Sequence, residues 1–221
     1  MFEAIGTLLP LGLAIALSSV PITATTFILL SKNRARTSLP FLIGWIIGIF
    51  GVAFGFAVGF SVLPRIAGPQ EQPVIGIIEI VIGVALVLYS VVAWRRAAKR
   101  GPRPTPKWLA AVGRLGPLEA FGLAVGMNFR PKALLISAAV GVGLSGVALT
   151  FAETAISLLI YTLIGASTVI VPVAFTYISP AKAESALVRM RGWIAVNSAI
   201  VTVIVVAMTG VVIAGNGVTK L

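Results

Sequence analysis

The sequence predicts an all-α integral membrane protein with six transmembrane helices, arranged as two inverted repeats of three helices each. Three observations support this fold class: the composition, the lengths of the uncharged stretches and an internal repeat. Of the 221 residues, 58% are hydrophobic and 10% are charged, whereas soluble domains carry about 25% charged residues. The mean hydropathy is +1.08, which is typical of a chain that lies mostly in a bilayer.

The uncharged stretches locate the six helices. About 20 apolar residues cross the hydrocarbon of a bilayer, and stretches of this kind lie near residues 5–30, 39–62, 74–94, 118–148, 154–177 and 193–214. The third reaches spanning length only by extending back through Glu79. The opening "MFEAIG" has no basic segment and no cleavage site of a signal peptide, so we expect it to remain as part of the first helix.

The basic residues predict how these helices are oriented, because positively charged loops stay in the cytoplasm. Of the 17 lysines and arginines, thirteen fall in the loops after spans 1, 3 and 5, whereas Arg65 and Lys220 fall on the opposite side. We therefore expect a multi-pass protein of the cytoplasmic (inner) membrane with both termini outside. The net charge of +11 mostly reflects this topology. Since the basic residues are divided among membrane loops, we expect no nucleic-acid partner.

A basic, Pro-rich segment divides the chain into two halves that resemble each other. We assign residues 1–94 to the first three-helix repeat, 95–117 to a cytoplasmic loop and 118–221 to the second repeat. The stretch "LGLAIALSSVP" (11–21) aligns without gaps with "FGLAVGMNFRP" (121–131). Three spans per half make the second half enter the membrane from the opposite face, and in such inverted repeats broken helices meet near the midplane and form a substrate site. We therefore predict that helices 1 and 4 are broken at Pro21 and Pro131.

Arg130 and Lys132 flank the second of these prolines inside an apolar run. A charge at the bilayer centre costs about 2.5–3.5 kcal/mol, so two cations there need an explanation. In one interpretation they are cytoplasmic flanks of a span that begins near residue 133. The repeat favours another, in which they lie about 20 Å inside span 4 at an unwound turn. The candidate substrate-binding residues are Arg130, Lys132, Asn128, Ser18, Ser19 and Thr23.

Two other features have both a structural and a functional interpretation. Glu79 is a carboxylate within span 3. It is either held at the interface by snorkelling or a salt bridge, or it has a function, as the site of proton coupling or as a partner to Arg130 and Lys132. In span 2, glycines recur every three or four residues between Gly44 and Gly59. This spacing makes a smooth helix face for close packing, either within the chain or in a homodimer through helix 2.

The residue types present exclude several kinds of chemistry. The chain has no cysteine and no histidine, and it also lacks aspartate, so it has no thiol relay and few ligands for transition metals. We expect no metal site and no cofactor. Neither a nucleophile elbow nor a P-loop is present, and we expect the protein not to be an enzyme.

The segments "ALSSVPITATTFILLSKNRARTSLPFLIGWIIGIFG" (16–51) and "NFRPKALLISAAVG" (128–141) resemble the GAP family, the peptidoglycolipid- or sulfolipid-addressing proteins of actinobacteria, within the lysine exporter (LysE) superfamily. The resemblance covers nearly the whole chain. It implies a six-helix inverted-repeat transporter that exports glycolipids of the cell envelope. The family pattern often reads Asn-Pro-Lys in span 4, whereas here Phe129 and Arg130 separate Asn128 from Pro131; Pro131 and Lys132 match.

These observations favour a secondary transporter or flippase that exports an anionic lipid or a lipid-linked glycan, with membrane lipids as its partners. Arg130 and Lys132 would hold a phosphate or sulfate headgroup. Two alternatives stay open. The first is export of small solutes such as amino acids, and the second is a non-transporting accessory subunit of a lipid-export machine.

The predicted orientation can be tested with a single cysteine, because the chain has none of its own. We expect a reagent that does not cross membranes to label Thr105→Cys, in the central loop, only after intact cells have been permeabilised. Labelling of this cysteine from outside intact cells would contradict a cytoplasmic central loop.

Overall fold

Helices form every regular element in the residues that the structure, a computed structural model, describes: 2–62, 73–99, 111–145, 147 and 149–218. The α-helices are α1 (Phe2–Ala16), α2 (Ser19–Leu29), α3 (Arg34–Ser61), α4 (Pro73–Lys99), α5 (Pro117–Gly126), α6 (Pro131–Ser145), α7 (Phe151–Ile178) and α8 (Pro180–Val218). A short 3-10 turn, Met127–Phe129, joins α5 to α6. The predicted all-helical fold class is thereby confirmed.

Three of these helices are long and apolar enough to cross a membrane: α3, the Gly76–Arg95 part of α4, and α7. A fourth crossing results if α1 and α2, which are bent by 52° from Ile5–Ala16 to Ser19–Leu29, count as one broken span. Within the part of the chain that the structure describes, this gives three or four crossings, where six were predicted. The helix break divides the predicted fourth span into α5, with 10 residues, and α6, with 15, and neither alone has the roughly 20 residues of a full crossing.

The two breaks precede the prolines to which the sequence analysis assigned them. A proline ring clashes with the carbonyl four residues earlier and removes the hydrogen bond that this carbonyl would accept. That carbonyl belongs to Leu17 for Pro21 and to Met127 for Pro131. Accordingly, α1 ends one residue before Leu17 and α5 ends one residue before Met127. Each proline then lies in the first turn of the next helix, where it is tolerated.

Two predicted loops are at least partly helical. The loop predicted to begin at residue 95 begins inside α4, which continues to Lys99, and the basic segment after span 5 forms the start of α8. Hydropathy marks where the apolar stretch ends, whereas lysine, arginine and alanine are good helix formers that extend a helix into water. Residues 100–110, the centre of the predicted loop, lie outside the described residues.

The helices pack in a connected bundle. The most extensive helix–helix interface is between α4 and α8. In addition, α3 packs against α5, α6 and α7, and α1 packs against α7. The contact between α4 and α8 is close because glycines face backbone: a Cβ built on Gly83 would lie 2.5 Å from the Gly210 carbonyl oxygen. Trp45, Tyr161 and Phe41 are among the largest side chains in the core and are fully buried.

The glycine face of α3 is divided between two environments. A Cβ on Gly44 would lie 2.5 Å from the Phe121 carbonyl oxygen, and one on Gly48 would lie 3.2 Å from Val125 Cα, so both glycines let α5 approach. Further along α3, glycines 51, 55 and 59 have no atom within 4 Å of such a Cβ. The predicted homodimer through this helix stays a prediction, and these three glycines are the part of the face that remains for it.

This division predicts that a glycine-to-alanine substitution has different effects on stability at two positions of α3. Gly44→Ala forces a methyl group against fixed backbone, and we expect it to cost about 1–3 kcal/mol of stability. For Gly55→Ala we expect no loss, since the methyl group has space and alanine favours helix. Thermal unfolding of the purified protein in detergent measures both, and equal effects of the two variants would contradict the described packing.

Candidate functional site

The two helix breaks lie at the same depth in the bundle. From the first break, the 11 residues of α2 run about 16 Å to its end, and the 10 residues of α5 run about 15 Å up to the second break. The segments just beyond the far ends of α2 and α5 are neighbours: a Cβ built on Gly113, four residues before α5, would lie 3.3 Å from Ser31 Cβ, two residues after α2. The two halves therefore place their irregular backbone at one level.

Lys132 joins the two breaks. Its Nζ donates hydrogen bonds to the Ala14 carbonyl oxygen at 2.8 Å and to Ser18 Oγ at 3.1 Å. The Ala14 carbonyl is free to accept because the Ser18 amide, its partner in a continuous helix, bonds instead to Ile15. A cation at the C-terminus of a helix is also favoured by the helix dipole. A lysine of the second half thus caps the broken helix of the first.

The other carbonyls at the end of α1 are satisfied as well. The Leu13 carbonyl oxygen accepts from the Leu17 amide at 2.9 Å, and that of Ile15 accepts from the Ser18 amide at 3.1 Å. The Ala16 carbonyl oxygen accepts from Thr168 Oγ1 of α7 at 2.7 Å. Backbone groups that are buried without water need such partners. Sequence reasoning missed Thr168, whose only signal is a hydroxyl in the middle of an apolar helix.

Arg130 performs a similar role within its own half. Its Nε donates to the Met127 carbonyl oxygen at 2.7 Å, which is the carbonyl that Pro131 leaves without an amide. The terminal nitrogens of the guanidinium form no hydrogen bond with another described residue, and neither Arg130 nor Lys132 forms an ion pair with a carboxylate among those residues. The guanidinium therefore retains donors for a further partner.

The other predicted site residues are only partly brought together. Ser18 accepts from Lys132 and belongs to the site. Asn128 is buried beside Gly48 and donates from Nδ2 to the Ala124 carbonyl oxygen at 3.0 Å. Thr23 Oγ1 donates to the carbonyl oxygen of Ser19 at 2.6 Å, so these two residues pair with each other along α2. Asn128, Ser19 and Thr23 form no described contact with the two cations.

Glu79 lies elsewhere, on the face of α4 that packs against α8. Gly76 and Gly83, on either side of it, approach Gly217 and Gly210 of α8. Its side chain is 3% exposed, and a side chain so enclosed does not fit the snorkelling interpretation. Glu79 forms no ion pair with the cations at the breaks, and its role in proton coupling stays a prediction.

The helix ends at the breaks contribute little net charge. A helix carries about half a positive charge at its N-terminus and half a negative charge at its C-terminus. Two C-termini, of α1 and α5, and two N-termini, of α2 and α6, meet at the breaks, so their partial charges nearly cancel. The positive charges of Arg130 and Lys132 remain, and the arrangement favours an anion.

The capping of α1 predicts a difference between two threonines of α7. Thr168→Val keeps the shape of the side chain but leaves the Ala16 carbonyl without its donor, and we expect a loss of about 1–3 kcal/mol. Thr162 is the matched control, because its buried Oγ1 has no hydrogen-bond partner among the described residues; for Thr162→Val we expect no loss or a small gain. Thermal unfolding measures both, and a neutral Thr168→Val would contradict the cap.

Comparison with known proteins agrees with the resemblance seen in the sequence. The family model described as "Sap, sulfolipid-1-addressing protein" matches residues 8–219. No curated protein and no solved structure matches the chain. The family and the apolar helices together indicate a membrane protein involved in lipid export or addressing. The chain belongs to the Sap family of sulfolipid-1-addressing proteins.

Proposed function

We propose that the protein is a secondary transporter or flippase that moves an anionic lipid or lipid-linked glycan toward the outer leaflet of the cytoplasmic membrane. The observation that carries this proposal is the pair of cations at the helix breaks, which has no carboxylate partner among the described residues. Intramembrane charges of this kind mark substrate pathways. An anionic headgroup would supply the missing negative charge.

The proposal includes six crossings in two inverted halves: α1 with α2, α3 and α4, then α5 with α6, α7 and α8. The pattern of helix contacts supports it, because contacts of one half have counterparts in the other. The packing of α1 on α7 corresponds to that of α5 on α3. The packing of α2 on α7 and on α8 corresponds to that of α6 on α3 and on α4.

The proposed orientation places the N-terminus outside and the turn between α2 and α3 in the cytoplasm. Supporting it, this turn exposes Lys32, Arg34 and Arg36. Arg34 and Glu184 line one small cavity, so the junction between α7 and α8, with exposed Lys182, lies at the same end of the molecule. Basic residues gathered at one end favour that end as cytoplasmic.

In this mechanism the headgroup enters at the breaks while the acyl chains stay in the bilayer, so an enclosed polar cavity is unnecessary. The bonds from Lys132 and Thr168 to the end of α1 hold the two halves together. Rocking of one half against the other, as in transporters with inverted repeats, requires that these bonds exchange. An anion held at Arg130 attracts the ammonium of Lys132, two residues along the chain, and thereby favours that exchange.

Transport by the purified protein tests the proposal. In liposomes we expect it to move a fluorescent anionic lipid between leaflets faster than a zwitterionic one. Arg130→Gln should nearly abolish this, and Arg130→Lys should impair it although the charge is kept, because only a guanidinium grips an oxyanion with two parallel hydrogen bonds. Arg114→Gln, at an exposed position before α5, is the matched control and should transport like the parent.

The outcome also separates the alternatives. Movement of an amino acid without movement of lipid would favour export of small solutes. If the folded protein alone moves neither, an accessory role in a larger export machine becomes the better account. Equal transport by the parent and Arg130→Gln would remove Arg130 from the mechanism and contradict the proposal.

A further inference from the structure

Tyr89 of α4 lies within electrostatic range of the Arg130 guanidinium. α4 packs against α6, which begins next to Arg130, and the Tyr89 phenol is close enough to interact electrostatically with the guanidinium. Tyr89 is half-buried, and its hydroxyl forms no hydrogen bond with another described residue. The terminal nitrogens of Arg130 and the Tyr89 hydroxyl, which have no hydrogen-bond partner among the described residues, thus lie within electrostatic range of each other.

The surface around these donors is apolar and exposed. Phe129, which precedes Arg130, is 60% exposed, and Leu88, which precedes Tyr89, is also 60% exposed. Val92, one turn after Leu88 on α4, is exposed as well. In a membrane-spanning bundle such side chains face lipid, so a lipid molecule has lateral access to the donors.

The electrostatics of this place favour an anion. The partial charges of the helix ends at the breaks nearly cancel, so the charge of the guanidinium remains. The ammonium of Lys132 is already engaged by the end of α1, whereas the guanidinium of Arg130 is engaged only through Nε. The two cations therefore differ in what they can still bind.

We propose that Arg130 and Tyr89 form a laterally open binding site for the tetrahedral oxyanion, a sulfate ester or a phosphate, of a lipid headgroup. The guanidinium donates two parallel hydrogen bonds to two oxygens, and the phenol donates a third. Lys132 holds the two halves together and does not contact the headgroup. This inference rests on the proposed function and assigns its substrate site to one cation of the pair.

Binding of lipids to the purified protein in detergent tests the site, with native mass spectrometry as the readout. The probes are a sulfated galactolipid, phosphatidylglycerol and phosphatidylcholine. We expect the parent to retain the first two in preference to the third. Loss of one hydrogen bond, about 1 kcal/mol, should lower retention of both anionic lipids about fivefold in Tyr89→Phe, and Arg130→Lys should lower it more.

Tyr177→Phe is the matched control. It removes a phenol near the C-terminal end of α7, whose hydroxyl bonds to Ser38 of α3, and the variant should bind lipid like the parent. Equal retention by Tyr89→Phe and the parent would overturn the site even if transport depends on Arg130, which leaves the proposed function intact. Conversely, selective binding that Tyr89→Phe weakens, in a protein that does not transport, supports the site and contradicts the proposed function.

Two further measurements keep the result specific. Thermal unfolding should show that Tyr89→Phe is as stable as the parent, so that weaker binding reflects the lost hydroxyl. Inorganic sulfate or phosphate, added as a competitor, distinguishes the source of the oxyanion. We expect neither ion to displace the lipids, because the acyl chains contribute to binding; displacement by either ion would show a site for small anions and overturn lateral lipid binding.

Discussion

The hydrogen bond from Lys132 Nζ to the Ala14 carbonyl oxygen is the contact on which the arrangement of the bundle depends. A membrane helix can be interrupted only where its freed backbone groups find partners inside the protein. The interruption after α1 frees several carbonyls, and two of them are satisfied by side chains of the second half, Lys132 and Thr168. The break in one half therefore requires the other half, and the two breaks are held at one level of the bundle.

This constraint changes how the two cations are understood. Considered from the sequence alone, both needed a counter-charge, and the substrate was the best source of it. In the folded chain, Lys132 is compensated by a helix end and a hydroxyl, whereas Arg130 uses one nitrogen to repair the backbone beside Pro131 and keeps the others. The break costs backbone hydrogen bonds. It engages the ammonium of Lys132 fully at the helix end and leaves Arg130 with donors that have no partner among the described residues. An anionic lipid matches those donors and the family to which the chain belongs.

The sequence predicted the helical class, most of the helices and the presence of two breaks, because apolar periodicity and proline chemistry are local signals. The irregular segments lie just before the two prolines, at residues 17–18 and 127–130, since the residue that loses its hydrogen bond lies four positions before the proline. The sequence did not predict the partner of Lys132, because the contact joins residues 118 positions apart and a backbone carbonyl leaves no mark in the sequence.

Thr168 and Tyr89 were missed for a related reason: a single hydroxyl in an apolar helix acquires a role only when another helix is placed beside it. Asn128 and Thr23 were chosen for their polarity, yet their own helices satisfy them.

A double-mutant cycle between Ser18→Ala and Lys132→Met measures the contact between the halves most directly. The cycle compares the free energies of unfolding of the parent, the two single variants and the double variant, and it isolates their interaction whatever the sign of each single effect. The account predicts a favourable coupling of about 1 kcal/mol. Additive effects of the two substitutions would show that Lys132 does not bind Ser18 at the end of α1, and would contradict the joining of the two breaks.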